Sequence, residues 1–96
     1  MNEKYLKELL LLAEGLMKRG IQFEFRLLNG GGQISTKTWD AVCHDFSYGH
    51  GSGELEIMGT LVNNTNDSVE GFLTAEELLK RVDTEVMSYA DDERNS

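Results

Sequence analysis

The residue types that could do chemistry are concentrated between Cys43 and His50. Cys43, His44 and Asp45 are adjacent, and His50 follows after a short connection. A thiol, an imidazole and a carboxylate are the groups that a cysteine hydrolase or transferase needs. Neighbours on a strand point to opposite faces of a sheet, which favours a buried thiol beside an exposed imidazole over a catalytic pair. We expect no enzyme and no catalytic residue; a small hydrolase or transferase that uses Cys43 with a histidine is the alternative.

The same four side chains could also bind zinc or a softer transition metal. The chain has only one Cys and two His, and their spacing matches no common structural zinc site. We therefore expect neither a metal nor a cofactor.

Large flat side chains surround the same segment, namely Trp39, Phe46, Tyr48 and His50. Protein interfaces are rich in aromatic residues because a rigid ring buries much area at a low entropy cost. Two interpretations are open. These rings either close the end of the core under the loop or contact a partner, and Tyr48 and His50 are the better interface candidates.

The formal net charge of -8 comes from one half of the chain. Residues 1–48 contain six acidic and six basic side chains, whereas residues 49–96 contain eleven acidic and three basic ones. An acidic surface repels nucleic-acid phosphates and anionic membranes and attracts a basic protein, although many acidic faces only maintain solubility. We expect a protein partner with a basic surface and no direct contact with nucleic acid or a membrane.

The predicted contact surface is the loop and strand from Tyr48 to Glu56, flanked by carboxylates from later in the chain. Its predicted members are Trp39, Tyr48, His50, Glu54, Glu56, Asp67, Glu70, Glu76 and Glu77. Carboxylates would steer a basic partner toward this surface, and the rings would supply the buried contacts.

Apolar spacing of three and four residues predicts a first helix from about Glu3 to Arg19, with Asn2 as its N-cap and Gly20 as its stop. A second helix is predicted to begin at Thr74, which forms a capping box with Glu77. Between the helices, alternation predicts four strands. They run from Ile21 to Leu27, from Gln33 through a disturbed register at Trp39 and Asp40 to Phe46, from Glu54 to Val62 and from Val69 to Leu73.

The predicted fold class is α+β, in the order α-β-β-β-β-α: a mostly antiparallel four-stranded sheet with the N-terminal and C-terminal helices packed on one face. One domain is expected over residues 1–90, followed by a disordered acidic tail over residues 91–96. The residues predicted to share the core are Leu6, Leu9, Leu10, Ala13, Phe23, Phe25, Leu55, Ile57, Leu78, Leu79 and Val82.

Cysteine content and hydropathy predict a cytoplasmic setting. The single Cys forms no internal disulfide, which is typical of a reducing compartment. The run from Leu9 to Leu12 is too short to span a bilayer and lacks a signal-peptide cleavage site, so we expect no membrane segment.

The segments CHDFSYGHGSGELEIMGTL and VEGFLTAEELLKRV, within about residues 40–86, resemble small uncharacterised proteins encoded by bacteriophages and mobile elements of Gram-positive bacteria. The shared features are the SYG turn, the acidic and apolar strand that ends in E-x-M-G, and the helix start G-F/W-L-T-x-E-E. The resemblance implies a phage accessory protein in the cytoplasm of a bacterial host. It assigns no mechanism and no functional residue.

The sequence thus predicts a non-enzymatic, acidic accessory protein that acts by protein–protein binding. One such role is inhibition of a host protein, including a nucleic-acid-handling or defence enzyme whose basic groove an acidic face would occupy. A structural homo-oligomer, held through Leu11, Leu12 or an exposed strand edge, is a further alternative, so a homodimer is compatible with the sequence.

Overall fold

The computed structural model describes the backbone of residues 2–63 and 66–95, and the side chains of these ranges up to residue 86. Its elements are α1 Glu3–Lys18, β1 Glu24–Leu28, β2 Gly31–Ser35, β3 Trp39–Cys43, β4 Leu55–Gly59, β5 Val69–Leu73 and α2 Ala75–Asn95, with a short 3-10 helix at His50–Ser52. Within these described residues, no helix combines the length and the apolar composition needed to cross a membrane.

The five strands form one sheet in the order β1-β2-β3-β4-β5, with every neighbouring pair antiparallel. This arrangement confirms the α+β class, but the predicted number of four strands is wrong. The strand predicted over residues 33–46 is divided at Thr36, whose side-chain oxygen accepts the N–H groups of Thr38 and Trp39. The N–H of Thr36 in turn donates to the carbonyl oxygen of Trp39 at 2.9 Å. A threonine side chain that bonds to nearby backbone therefore makes a turn where its β-branched shape predicted a continuous strand.

The helix ends largely follow the predicted capping. The Asn2 side chain accepts the N–H of Lys4 at 3.0 Å, and Gly20 has a φ of 68°, the left-handed conformation of a helix stop. At the start of α2 the Thr74 hydroxyl accepts the N–H of Glu77 at 3.2 Å, as predicted. The Glu77 carboxylate accepts from the Thr74 hydroxyl, where the capping box predicted the Thr74 amide.

α1 faces the sheet with Tyr5, Leu9, Leu12 and Leu16, all of which are buried. Leu10 was predicted to lie in the core, and this prediction is wrong because the side chain is 58% exposed. Successive residues are about 100° apart around a helix, so Leu10 points away from the sheet when Leu9 points into it. The four consecutive leucines cover every side of the helix, and their periodicity alone left the buried side undetermined.

The helix-facing side of the sheet supplies the rest of the core. It contributes the buried side chains Ile34, Ala41, Cys43, Leu55 and Ile57, which meet Leu78 and Val82 of α2. Leu6, Ala13, Phe23 and Leu79, also predicted as core, are partly buried and pack against this cluster. Phe25 is wrongly predicted as core because it is exposed on the edge strand β1, whereas α1 lies over β2 and β3.

The two helices pack side by side on this face of the sheet. Gly15 of α1 makes the close approach possible, because the Leu79 side chain of α2 fills the space that a Cβ at Gly15 would need. Glu8 of α1 also accepts the backbone N–H of Ala75 at 3.2 Å and so caps the first turn of α2.

The backbone of α2 extends to Asn95 and thus includes residues 91–95 of the predicted tail. The side chains of residues 87–96 lie outside the described part of the structure. The boundary predicted at residue 90 stays a prediction.

An ion pair joins β5 to α2. The Arg81 guanidinium donates to both carboxylate oxygens of Glu70, at 2.9 and 2.7 Å, and to the carbonyl oxygen of Leu61 at 3.0 Å. These bonds from Arg81 hold the pKa of Glu70 below its usual range. The pair therefore holds α2 against the outer strand of the sheet.

Glu70→Gln is expected to reduce the free energy of unfolding at pH 7 by about 1 to 2 kcal/mol, since a hydrogen bond to a charged group is lost from a partly buried site. A carboxyl with a lowered folded-state pKa stabilises the protein above its unfolded pKa of about 4.3, and this contribution is lost as the pH falls through the folded pKa. The difference between wild type and variant should therefore shrink in acid. Urea unfolding of both proteins at pH 7 and in acid measures it, and a constant difference would contradict the role given to Arg81.

Candidate functional site

The connection between β3 and β4, residues 44–54, is anchored at several points. The buried Ser47 hydroxyl donates to the carbonyl oxygen of His44 and accepts the N–H of the same residue. Gly53 has a φ of 73°, and a Cβ there would lie 2.8 Å from the carbonyl oxygen of Lys4. The loop is thus seated against the first turn of α1 and presents its remaining side chains in defined positions.

The four side chains that could do chemistry have different surroundings. Cys43 is fully buried and faces the helices. Asp45 accepts the hydroxyl of Tyr5 at 3.0 Å, and this bond raises the pKa of Tyr5. The Nδ1 atoms of His44 and His50 both bond to the backbone of their own loop. The Asp45 carboxylate and the Nδ1 atoms of both imidazoles thus bond to groups other than the Cys43 thiol.

Burial also suppresses the reactivity of the single thiol. It raises the pKa of Cys43 to about 11, with the Glu8 carboxylate as a smaller cause. The thiolate is the nucleophilic form, and little of it is present at neutral pH when the pKa is this high. The geometry therefore gives no support to the hydrolase or transferase alternative. Among the described residues, no group of three or more Cys, His, Asp or Glu is placed to hold a metal ion.

The aromatic residues of this region divide between core and surface. Trp39 is buried in the core, so we leave it out of the contact surface. His50 is half-buried, and its ring stands edge-on to that of Tyr5 at a centroid distance of 6.0 Å. Tyr48 is 60% exposed and Phe46 is more exposed still. Trp39 thus closes the core, whereas the exposed Phe46 and Tyr48 are available to a partner.

Phe72 is a further exposed aromatic residue and was not among the predicted contact residues. Its N–H lies 3.5 Å from the carbonyl oxygen of Tyr48, and its side chain is 63% exposed. The backbone φ of 60° is rare for a bulky residue. The pairing of β5 with β4 shifts between Leu55 and Ile57, and this bulge turns Phe72 outward. The available signal was Gly71, because an isolated glycine in a strand pattern suggests a bulge.

Two predicted acidic residues lie close to the backbone of Tyr48 and Phe72. Glu56 accepts the N–H of Tyr48 at 3.1 Å. A Cβ at Gly49 would lie 3.0 Å from the backbone nitrogen of Phe72 and 3.2 Å from Cβ of Glu54, so these two residues flank the same glycine. Close packing of the loop on β5 therefore brings both acidic residues near the backbone of Tyr48 and Phe72, and the Glu54 carboxylate also accepts the Ser52 hydroxyl at 2.6 Å.

The other four predicted carboxylates are placed differently. Glu70 is paired with Arg81, so its charge is already compensated. Glu76 and Glu77 lie in the first turn of α2, close after the end of β5. Asp67 precedes β5 and is separated from Phe72 by most of that strand, roughly 15 Å. The structure thus keeps Glu54 and Glu56 together with Tyr48 and does not bring Asp67 to them.

These contacts bring Tyr48, Glu54, Glu56 and Phe72 together, and Phe46 lies two residues before Tyr48 in the same loop; we call this group the aromatic-acidic surface. Its rings offer apolar area that the fold leaves uncovered, and its carboxylates offer charge. Adjacent exposed rings of this kind mark interaction sites more often than scattered single apolar residues do.

Comparison of the chain with models of known protein families, with curated proteins and with solved structures finds no match. The resemblance of residues 40–86 to phage and mobile-element proteins stays an expectation. Support for a function comes from the aromatic-acidic surface itself.

Proposed function

We propose that this chain is a non-enzymatic accessory protein that binds a basic protein partner through the aromatic-acidic surface. The observation that carries this proposal is the exposed ring of Phe72, held in a left-handed backbone conformation beside the backbone of Tyr48, whose ring is also exposed. Such a conformation costs about 1 to 3 kcal/mol for a residue other than glycine. The mostly exposed ring regains little of this cost by burial in the monomer. Strained residues cluster at functional sites, which supports a binding role for Phe72.

The chemistry of the surface suits arginine and lysine side chains on the partner. A guanidinium group stacks on aromatic faces and pairs with carboxylates, and Glu54 and Glu56 lie near the backbone of Phe72 and Tyr48. The acidic half of the chain would add long-range steering that weakens with salt. The same charge disfavours direct binding to nucleic acid or to an anionic membrane.

In this proposal the protein is a phage-type factor that acts in the cytoplasm of a bacterial host. A single buried Cys without a disulfide suits that reducing compartment. Host enzymes that handle nucleic acid, including defence enzymes, carry basic grooves for phosphate. An acidic surface with projecting rings could occupy such a groove and inhibit the enzyme.

The substitution Phe72→Asn is expected to weaken binding without reducing the stability of the fold. Asparagine adopts the left-handed conformation readily, so the variant removes the ring and relieves the backbone strain together. We expect its thermal stability to equal or exceed that of wild type, while the partner dissociates about 30-fold faster, as for loss of a hot spot of about 2 kcal/mol. Affinity capture from host lysate, followed by kinetics with the captured protein, measures this effect.

One further test variant, Glu54→Lys, and two control variants, Phe72→Tyr and Glu14→Lys, make the experiment specific. Phe72→Tyr keeps the ring and should retain capture. Glu54→Lys should slow association, whereas Glu14→Lys makes the same charge change at an exposed site on α1 and should have a much smaller effect. Capture of the same proteins in the same amounts by Phe72→Asn and by wild type would contradict the proposal.

A further inference from the structure

We infer that two copies of this chain form a homodimer by antiparallel pairing of their β1 strands, which joins two five-stranded sheets into one of ten strands. β1 is the edge of the sheet opposite β5. The inference does not depend on the proposed function, because the aromatic-acidic surface belongs to the β5 side of the sheet. The dimer would leave that surface free on both copies.

The two edges of the sheet differ in regularity. At β5, the register shift and the positive φ of Phe72 distort the edge, which hinders the addition of another strand. β1 pairs with β2 in unbroken register from Glu24 to Leu28, and its sequence contains no proline, glycine or lysine. A regular edge without these protecting features is a template for a further strand.

Apolar side chains lie uncovered next to this edge. Phe25 and Leu27 point to the helix side of the sheet, opposite Ile34 and Gly32, yet both are exposed, Leu27 by 64%. α1 covers β2 and β3, and the ring of Phe25 lies over Gly32 near Leu9 of α1 but remains 41% exposed. Leu12, a residue considered for self-association, is buried in the core and takes no part. A second β1 strand would bring its own apolar residues against this uncovered row.

The hairpin turn determines which backbone groups of β1 are free. Asn29 and Gly30 have φ values of 47° and 82° and form a two-residue turn between Leu28 and Gly31. The residues that flank such a turn bond to each other, so the N–H and C=O groups of Leu28 point toward β2. This direction alternates along an antiparallel strand, which leaves the odd-numbered residues of β1 pointing outward. The pairing must therefore place odd-numbered residues of the two copies opposite each other.

Charge selects one of the registers that satisfy this condition. When the two Phe25 residues face each other, Glu24 of each copy lies opposite Arg26 of the other, so two ion pairs form. Phe23 then faces Leu27 of the second copy on the helix side. The register centred on Arg26 would instead bring two guanidinium groups together, which is unfavourable. The complementary charges thus favour a dimer centred on Phe25.

Single cysteines at positions 25, 26 and 27 test the dimer and its register together. In the inferred register the Cα atoms of the two residues 25 are about 5.5 Å apart, within disulfide range. Those of residues 26 are about 8 Å apart and those of residues 27 farther, which is too far for a disulfide. We expect Phe25→Cys to give a covalent dimer with a mild oxidant such as diamide, while Arg26→Cys and Leu27→Cys remain mostly monomeric on a non-reducing gel.

Wild type, with only the buried Cys43, and Leu10→Cys, with an exposed cysteine on α1, are the matched controls. Neither should form a covalent dimer, so both should run at the mass of one chain on the non-reducing gel. Preferential cross-linking at position 26 or 27 would overturn the inferred register. Equal cross-linking of all variants including Leu10→Cys would show random collision and would overturn the dimer.

Light scattering of wild type and of variants with reversed charges at Glu24 and Arg26 provides the second measurement. Wild type should reach a mass of twice 10.8 kDa, and a mass of one chain at the highest concentration reached would overturn the inference. Glu24→Lys should raise the dimer dissociation constant at least about tenfold, because lysine would then face Arg26. Adding Arg26→Glu to that variant should restore the constant to within about threefold of wild type. An unchanged constant in Glu24→Lys would overturn the register.

Discussion

Leu9→Asp is expected to leave the chain unfolded, whereas Leu10→Asp is expected to fold. Leu9 is completely buried between α1 and the sheet, so aspartate there would bury an unpaired carboxylate. The penalty is several kcal/mol, comparable with the total stability of about 5 to 15 kcal/mol that small domains have. Leu10 is mostly exposed, and its replacement should change the free energy of unfolding by about 0.5 kcal/mol or less. Far-ultraviolet circular dichroism and urea unfolding compare the two variants.

Alanine substitutions at the same two positions give a quantitative comparison if Leu9→Asp does not accumulate in cells. Leu9→Ala should reduce the free energy of unfolding by about 2 to 5 kcal/mol, and Leu10→Ala should have little effect. An unfolded Leu10→Asp protein, together with a folded Leu9→Asp protein, would show that α1 faces the sheet with its other side.

Gly31→Ala is expected to destabilise the protein by about 3 kcal/mol or more, a large effect for one methyl group. The new Cβ would overlap the backbone carbonyl oxygen of Cys43 and lie 3.0 Å from Cα of His44. These are backbone atoms at the end of β3, which pairs with β2 from Gly32 onward. They cannot move away without breaking that pairing. Thermal unfolding followed by circular dichroism measures the loss.

Gly51→Ala is the matched control for this substitution. A Cβ at Gly51, in the short 3-10 helix, would meet no atom within 4 Å. The variant should be as stable as wild type or more stable by up to about 1 kcal/mol, because alanine reduces the freedom of the unfolded chain. Equal losses in both variants would show that the close approach of β2 to the end of β3 is not what requires glycine at position 31.

The proposed dimer contact on β1 and the aromatic-acidic surface beside β5 belong to opposite edges of the sheet. A dimer joined through β1 would present two copies of the aromatic-acidic surface, one at each end of the continuous sheet. A partner with two basic sites could then bind both, and its affinity would exceed that of a single contact. Glu24→Lys would reduce this avidity without changing the aromatic-acidic surface.

The sequence by itself determined the features that depend on neighbouring residues. Asn2 and Thr74 cap their helices, and Leu55 and Ile57 point into the core as alternation predicted. Each depends on a bond or a steric preference within a few positions of the chain. The α+β class follows from the same local patterns, because amphipathic helices and half-buried strands must cover each other.

Only the tertiary structure decided which apolar residues are buried. The leucines from Leu9 to Leu12 give the helix more apolar surface than the sheet covers. Which side of α1 is buried was therefore determined only by packing against the sheet. Phe25 alternates as a core residue should, yet it is exposed because two helices do not cover five strands. The turn at Thr36 was missed because threonine favours a strand and equally bonds to nearby backbone.

The candidate site likewise contains residues that the sequence placed at the surface and residues whose exposure only the tertiary structure decided. The sequence placed Tyr48, Glu54 and Glu56 on one loop and strand, where a turn rich in glycine and polar residues must reach the surface. It did not distinguish Trp39, which closes the core, from Phe72, which projects outward. Burial of Trp39 and exposure of Phe72 both depend on how β5 pairs with β4 and how α2 packs above them. These contacts join residues far apart in the chain, and the local signal at Gly71 indicates a bulge without showing which neighbouring side chain is exposed.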